Sequence, residues 1–241
     1  MPTATTSTKM QPRVAWRAIR KLVADPEDTA QVFTIVRAMS GPSLRNGHRR
    51  FQASPWGRRV LQEEMDLLET LRDRDMLRAQ PRGSLAAAYL AFVESENLSA
   101  DGLVQASASE EERWEDPGIE RYGKRLRDQH DLWHVLTGYG RDELGELCLL
   151  AFTYAQTRNR GIGLIVLVGA YKLRRALGKG VIRAALRGYR DGRRAAWLPQ
   201  QPWETLLQEP LEAVRAKLGI EEPLPYRALR HQLATAVSSA A

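Results

Sequence analysis

The sequence predicts an all-α protein with a single compact helical domain. Apolar residues recur at helical spacing along most of the 241 residues. Serine or aspartate repeatedly stands directly before a proline or an acidic turn, which is the pattern of helix starts, and glycines follow several of the segments. No run shows the two-residue alternation of a half-buried strand. Together these features favour helices packed on helices around one core.

The first half of the chain carries start and stop signals for three helices. Asp25-Pro26 places a capping side chain before a proline at the first helical position, and Gly41-Pro42 marks a stop. The first predicted helix covers 26–39 and the third covers 81–97. The second opens at Ser54-Pro55, and its apolar residues share one face: Val60, Leu61, Met65, Leu68 and Leu71. The polar stretch 99–117 lacks helical spacing, so we expect a surface loop there.

The second half continues as helices separated by glycine and proline. The predicted helices are 118–137, Asp142 to about Thr157, 161–177, 180–189 and two short ones after Pro202 and Pro210. Gly138-Tyr139-Gly140 breaks the first of them, and the carboxylate of Asp142 can cap the next. We assign residues 1–13 to a mobile N-terminal tail, 14–222 to the helical domain and 223–241 to a C-terminal tail.

The cysteine count, the length of the apolar stretches and the motifs that are missing limit the cellular compartments and the classes of protein that fit this sequence. The single cysteine, Cys148, excludes an internal disulfide framework and fits a reducing compartment. The longest apolar stretch covers only 161–170, whereas a membrane span takes about 20 residues, so no transmembrane helix is predicted. No Ser-His-Asp arrangement, phosphate-binding glycine loop or CxxC pair is present, so these motifs give no support to serine hydrolases, P-loop enzymes or structural zinc modules.

The net charge of +7 is concentrated in one segment. Between Tyr171 and Arg194 the basic residues are Lys172, Arg174, Arg175, Lys179, Arg183, Arg187, Arg190, Arg193 and Arg194, against the single acid Asp191. Such a run is typical of a solvated helix face, and with Ile182 and Leu186 nearby it can also rest on an anionic membrane surface. No recognised nucleic-acid motif accompanies the charge, so nucleic acid is not an expected partner.

The residues that best indicate chemistry are His130, Asp131 and His134, followed by Glu146. On a helix, positions i, i+1 and i+4 lie at about 0°, 100° and 40°, so two imidazoles and a carboxylate share one face. A straight helix would carry Glu146 about 18 Å along the axis from His134. The glycine break can instead reverse the chain and return Glu146 to the histidines. The sequence therefore predicts a metal site on a helical hairpin.

Two interpretations of this cluster compete. An isolated HxxxH pair is more often a pair of satisfied or solvated histidines than a metal site, but the adjacent aspartate, the glycine break and the later glutamate favour a metal. The mixed nitrogen and oxygen set suits zinc first, with iron or cobalt as alternatives, whereas magnesium prefers oxygens alone.

The segment HDLWH-VLTGYGRDELG-E resembles the HDxxH-x11-E motif of the Coq-four family, whose members act in making ubiquinone (coenzyme Q). DPEDTAQVFTIVRAMSG, PRGSLAAAYLAFVESENLSADGL and PWETLLQEPLEAVRAKLGI resemble other family segments, so the resemblance covers roughly 25–220. One departure precedes the motif, where Arg125-Leu126-Arg127 stands in place of the family's Arg-Tyr-Arg.

The resemblance implies a metal-dependent lyase that removes the C1 carboxylate of a prenylated 4-hydroxybenzoate, with or without hydroxylation there. It implies His130, His134 and Glu146 as metal ligands, and Asp131 as a fourth ligand or a proton-transfer group. The alternative is a non-catalytic lipid-binding organiser of a ubiquinone-biosynthesis complex. The apolar runs 147–155 and 161–170 could line a slot for an isoprenoid tail, although ordinary core packing is the more common role for any single residue in them, and both roles can hold at once.

The expected partners are a prenylated aromatic quinone precursor, other ubiquinone-biosynthesis proteins, a peripheral membrane contact and a second copy of the chain. The expected location is cytoplasmic, or the inner side of a bacterial cytoplasmic membrane or organelle inner membrane.

Overall fold

A computed structural model describes residues 5–6, 10–25, 28–96, 113–114 and 116–238, and it confirms the all-α prediction. The helices are α1 (Pro12–Ala24), α2 (Thr29–Ala53), α3 (Pro55–Gln62), α4 (Leu67–Arg72), α5 (Arg74–Arg78), α6 (Leu85–Ser95), α7 (Pro117–Asp128), α8 (His130–Thr137), α9 (Glu143–Thr157), α10 (Arg160–Leu177), α11 (Gly180–Arg194), α12 (Trp203–Leu206), α13 (Leu211–Leu218) and α14 (Leu224–Ser238). Within the described residues, the two-residue strands β1 (Thr5–Thr6) and β2 (Arg113–Trp114) pair in parallel. Most of the predicted loop 99–117 lies outside the described residues.

The centre of the fold is the close packing of α9 against α11. A Cβ placed on Gly188 would lie 2.5 Å from the carbonyl oxygen of Cys148, and one on Gly192 would lie 2.5 Å from that of Phe152. Gly188 and Gly192 are one helical turn apart, and so are Cys148 and Phe152, which they face. Because neither glycine has a side chain, the backbones of α9 and α11 can approach each other closely along this turn. Around this pair, α6, α8, α10 and α13 complete the largest apolar core.

The predicted helix end at Gly41-Pro42 is wrong, because α2 continues through Pro42 to Ala53. A proline inside a helix leaves the carbonyl four residues earlier without its usual donor. Here that carbonyl belongs to Ala38, and it accepts a hydrogen bond from the backbone N–H of Gln11 at 2.7 Å. The N-terminal segment therefore satisfies the group that Pro42 leaves free, which local sequence rules could not anticipate.

Several other boundaries differ from the prediction. The helix predicted from Ser54-Pro55 is divided into α3, α4 and α5, with Glu64 at a φ of 53° between the first two. The helix predicted over 118–137 is interrupted at Gln129. Part of the segment assigned to a C-terminal tail forms α14, and Tyr226 within it is buried.

Two buried polar groups hold α7 and α8 against α12. The Arg125 guanidinium donates to both carboxylate oxygens of Glu204, at 2.7 and 3.0 Å. The side-chain oxygen of Gln129 accepts from the indoles of Trp133, at 3.3 Å, and Trp203, at 2.7 Å. The junction between the two helices is thus anchored directly before the predicted metal ligands.

Candidate metal centre

The two predicted histidine ligands face each other on α8. His130 is the first residue of this helix and His134 lies one turn later. Their Nε2 atoms are 3.2 Å apart, with the rings nearly perpendicular at 88°. His134 is buried and His130 is partly exposed, so the pair lies at the edge of the core.

The helical hairpin brings Glu146 back beside this pair. Gly138 ends α8 in the left-handed conformation, at a φ of 70°, and Asp142 caps α9 by accepting from the backbone N–H of Gly145 at 3.1 Å. Glu146 is in the first turn of α9, with Oε1 3.3 Å from Nε2 of His134 and Oε2 3.9 Å from Nε2 of His130. The reversal that the glycine break predicted is therefore present.

Three of the four predicted ligands come together. One atom from each of His130, His134 and Glu146 lies within 4.8 Å of the others, and Asp131 is not a member of this group. Asp131 is buried. Burial raises the pKa of Tyr89 on α6, and the charge of Asp131 adds to this effect. Its assignment as a fourth ligand or proton-transfer group stays a prediction.

The hydrogen bonding of His134 suits a metal ligand. Its Nδ1 lies 2.9 Å from the carbonyl oxygen of Tyr139, an acceptor, so Nδ1 carries the proton and donates it. This fixes the ring orientation and directs Nε2 toward Glu146 and His130, so that Nε2 is the nitrogen that could bind an ion in place of its proton, as in many metal-bound histidines. Two imidazole nitrogens and one carboxylate oxygen form the donor set expected for zinc, iron or cobalt.

The charges in the site are coupled. Burial and the neighbouring His134 lower the pKa of His130. Burial opposes the charged form of His134, but the hydrogen bond and charge of Glu146 outweigh it and raise the pKa of His134. The same interaction overcomes burial and lowers the pKa of Glu146. A cation is therefore favoured at the point where these groups meet, and a divalent ion there would compete with a proton.

Residues on α6 and in the turn complete the surroundings. Phe92 stacks on the His134 ring with centroids 5.5 Å apart. Arg141 approaches Glu146 with Nε 4.0 Å from Oε1, and its other end is 3.8 Å from Oε2 of Glu96. Both contacts are long for an ion pair, and Arg141 is exposed beside the partly exposed His130 and Glu146.

The C-terminal segment supplies supports that the sequence analysis missed. Arg215 on α13 donates to the carbonyls of Val135 at 2.9 Å and Leu136 at 2.8 Å, at the end of α8. The Tyr226 hydroxyl contacts the turn, accepting from Gly140 N–H at 2.9 Å and donating to Asp142 Oδ2 at 2.5 Å. Burial and the bond to Asp142 raise the pKa of Tyr226 to about 12. These contacts join residues about 80 positions apart, and no local pattern marks them.

The long basic run covers the exposed side of α10 and α11. All of its basic residues are exposed except Arg187, which is partly buried and pairs with Asp191 and Glu221. Leu167 and Tyr171 on α10 and Leu186 on α11 are also exposed, by 70%, 64% and 48%. Across the described residues, no helix combines the length and apolarity needed to cross a membrane.

Comparison with known proteins gives consistent matches. Residues 5–224 match the family described as "Coenzyme Q (ubiquinone) biosynthesis protein Coq4". A protein of Yarrowia lipolytica named "Ubiquinone biosynthesis protein COQ4, mitochondrial" is 30% identical over 75% of this chain and 67% of its own length. A protein of the same name from Podospora anserina is 29% identical over 75% of this chain and 58% of its own length. The alignments thus span about two thirds or less of these relatives.

The fold is shared with a solved structure. A crystal structure of a Nostoc punctiforme protein, named for ubiquinone biosynthesis, aligns with a TM-score of 0.67 at 20% identity. The alignment covers 89% of this chain and 100% of that one. At this identity the similarity shows the common fold alone.

Proposed function

Since the chain belongs to the Coq4 family of ubiquinone biosynthesis proteins, we propose that it removes the C1 carboxylate of a prenylated 4-hydroxybenzoate in a metal-dependent step. The observation that supports this is the convergence of His130, His134 and Glu146 at the edge of the core. Three protein ligands leave a coordination position open, which is the arrangement of catalytic rather than structural zinc sites.

His130, His134 and Glu146 would hold the ion, for which zinc is the first choice. When bound, such an ion supplies Lewis acidity and a place for the carboxylate of the substrate. Arg141 faces the same open side, and a guanidinium can bind a carboxylate through two parallel hydrogen bonds. We therefore assign Arg141 to holding the acid group of the ring next to the ligands.

The reaction itself needs electrons at C1 and a proton. The hydroxyl para to the carboxylate can push electron density toward C1, which takes up a proton, and Asp131, buried next to His130 and His134, is the candidate for delivering it. The bond from C1 to the carboxylate then breaks, its electron pair returns to the ring, and carbon dioxide leaves. An oxidative version places a hydroxyl at C1 and requires dioxygen and a two-electron donor.

A lipid-tailed substrate calls for a route to the membrane. Helices α10 and α11 carry the exposed Leu167, Tyr171 and Leu186 together with exposed arginines and lysines, which is the composition of a surface that rests on anionic lipid. We propose that α10 and α11 dock on the inner side of a bacterial cytoplasmic membrane or an organelle inner membrane. Other ubiquinone-biosynthesis proteins would be the partners at this surface. An apolar slot for the tail and a second copy of the chain are further parts of this proposal.

The test is turnover of a short-chain prenylated 4-hydroxybenzoate by metal-loaded protein, followed by mass spectrometry. We expect loss of carbon dioxide, and the mass of the product distinguishes replacement by hydrogen from replacement by hydroxyl. The double variant His134→Ala, Glu146→Ala should stay folded and lose product formation. Unchanged turnover by the folded double variant would contradict the catalytic proposal.

The exposed basic and apolar surface also favours a second candidate, a lipid-binding organiser of a ubiquinone-biosynthesis complex. In that case the double variant would still support ubiquinone production in cells, while charge reversal on α10 and α11 would abolish it. The catalytic proposal predicts instead that cells with the double variant make no ubiquinone.

A further inference from the structure

Tyr226 is a side chain that contacts the turn of the metal-binding hairpin at several points. It is 3% exposed and lies near the start of α14. Its hydroxyl accepts from the backbone N–H of Gly140 and donates to Asp142, and its ring packs edge-on against Tyr139 with centroids 5.4 Å apart. All three neighbours belong to the turn between α8 and α9.

Two of these neighbours, Tyr139 and Asp142, are bonded directly to a ligand. The carbonyl oxygen of Tyr139 accepts the Nδ1 proton of His134 at 2.9 Å, which orients that ring. The backbone carbonyl of Asp142 accepts from the N–H of Glu146 at 2.9 Å. Tyr226 is therefore connected to His134 through Tyr139 and to Glu146 through Asp142.

We propose that Tyr226 is a positioning residue that fixes the separation of His134 and Glu146 and thereby sets the affinity of the site for its metal ion. The inference rests on the proposed metal site. Partners in the second layer around a metal commonly change its affinity about 10- to 100-fold when they are lost. Here the lost bonds would free the turn that determines how closely the two ligand helices approach. The hydroxyl stays protonated near neutral pH, so it remains a donor to Asp142.

The test is titration of the full chain with Co²⁺, with the affinity and the d–d absorption spectrum as readouts. Tyr226→Phe removes only the hydroxyl. We expect the dissociation constant to rise about tenfold and the spectrum to change, at a temperature where circular dichroism shows the native helix content. The matched control is Tyr189→Phe, whose hydroxyl accepts from Arg158 at 3.1 Å between α9 and α11. The control should bind as the wild type does.

A purely structural role would lower the unfolding midpoint of Tyr226→Phe and leave both readouts unchanged, and that result would overturn the inference. Asp142→Ser gives an independent test, because serine can still cap α9 but is too short to reach Tyr226. We expect the same rise in the dissociation constant and no further rise in the double variant, whereas additive losses would contradict the proposed route. If the wild type itself binds no Co²⁺, the proposed metal site is wrong and this inference fails with it. If the wild type binds Co²⁺ and Tyr226→Phe binds it equally well, only the role of Tyr226 is wrong and the metal site stands.

Discussion

At the scale of single residues, the candidate site depends on a few well-placed polar atoms. His134 illustrates this, because one ring nitrogen donates to the Tyr139 carbonyl and the other faces Glu146. A histidine held in this way loses little freedom when it binds an ion, since its orientation is already determined.

Arg141 gives a prediction at this scale. If it holds the ring carboxylate, Arg141→Gln should weaken the binding of 4-hydroxybenzoate to metal-loaded protein about tenfold, because a charge-assisted bidentate pair is lost. Binding of phenol, which lacks the carboxylate, should change little. The measurement is an NMR titration of both ligands.

Arg121→Gln is the matched control, since Arg121 forms its ion pair with Glu64 away from the site. Equal losses of affinity for the acid and for phenol in Arg141→Gln would show that Arg141 shapes the pocket without reading the carboxylate.

At the scale of helices, the contact between α9 and α11 determines where Glu146 lies. Gly192→Ala should lower the free energy of unfolding, because its Cβ would meet the Phe152 carbonyl at 2.5 Å and the Ala155 methyl at 3.0 Å. Overpacking of this kind costs about 1–3 kcal/mol, which outweighs the gain of about 1 kcal/mol from placing alanine in a helix. Urea unfolding followed by circular dichroism measures the difference.

Gly123→Ala on α7 is the control, because its Cβ would have Leu44 as its nearest neighbour at 3.9 Å. We expect this change to be neutral or stabilising. A Gly192→Ala protein as stable as the Gly123→Ala protein would contradict the close packing of α9 and α11.

The elements also show what the sequence can and cannot predict. Caps such as Ser54 and Asp142 are local, and both helices they begin were predicted. The continuation of α2 through Pro42 was not predicted, because the N–H that bonds the free carbonyl of Ala38 belongs to Gln11, in another part of the chain. In the same way, the spacing of His130, His134 and Glu146 predicted the cluster, whereas Tyr226 was missed because its contacts are long-range.

At the scale of the whole molecule, the proposed docking surface makes a prediction of its own. Reversing the charge of Arg174 and Arg175 to glutamate should reduce co-sedimentation with vesicles that contain anionic lipid, because each basic residue near such a surface contributes about 1 kcal/mol. Neutral vesicles should bind the wild type weakly. Arg49→Glu with Arg82→Glu, an equal change of charge elsewhere on the surface, serves as the control.

Equal loss of binding in the two charge-reversed proteins would mean that net charge alone, rather than the surface of α10 and α11, attracts the lipid. The exposed Tyr171 beside Arg175 suggests otherwise, since the ring lies 6.0 Å from the guanidinium on that surface. Aromatic and basic side chains of this kind commonly share the interface of a bilayer.

The central claim is that the hairpin holds one metal ion between two imidazoles and a carboxylate. X-ray absorption spectroscopy of the zinc-loaded full chain tests it most directly. We predict about one zinc per chain, scattering from two imidazole rings and at least one oxygen, and loss of both the zinc and this signal in His134→Ala. A folded wild-type protein that retains no zinc, or whose zinc signal persists unchanged in His134→Ala, would contradict the account.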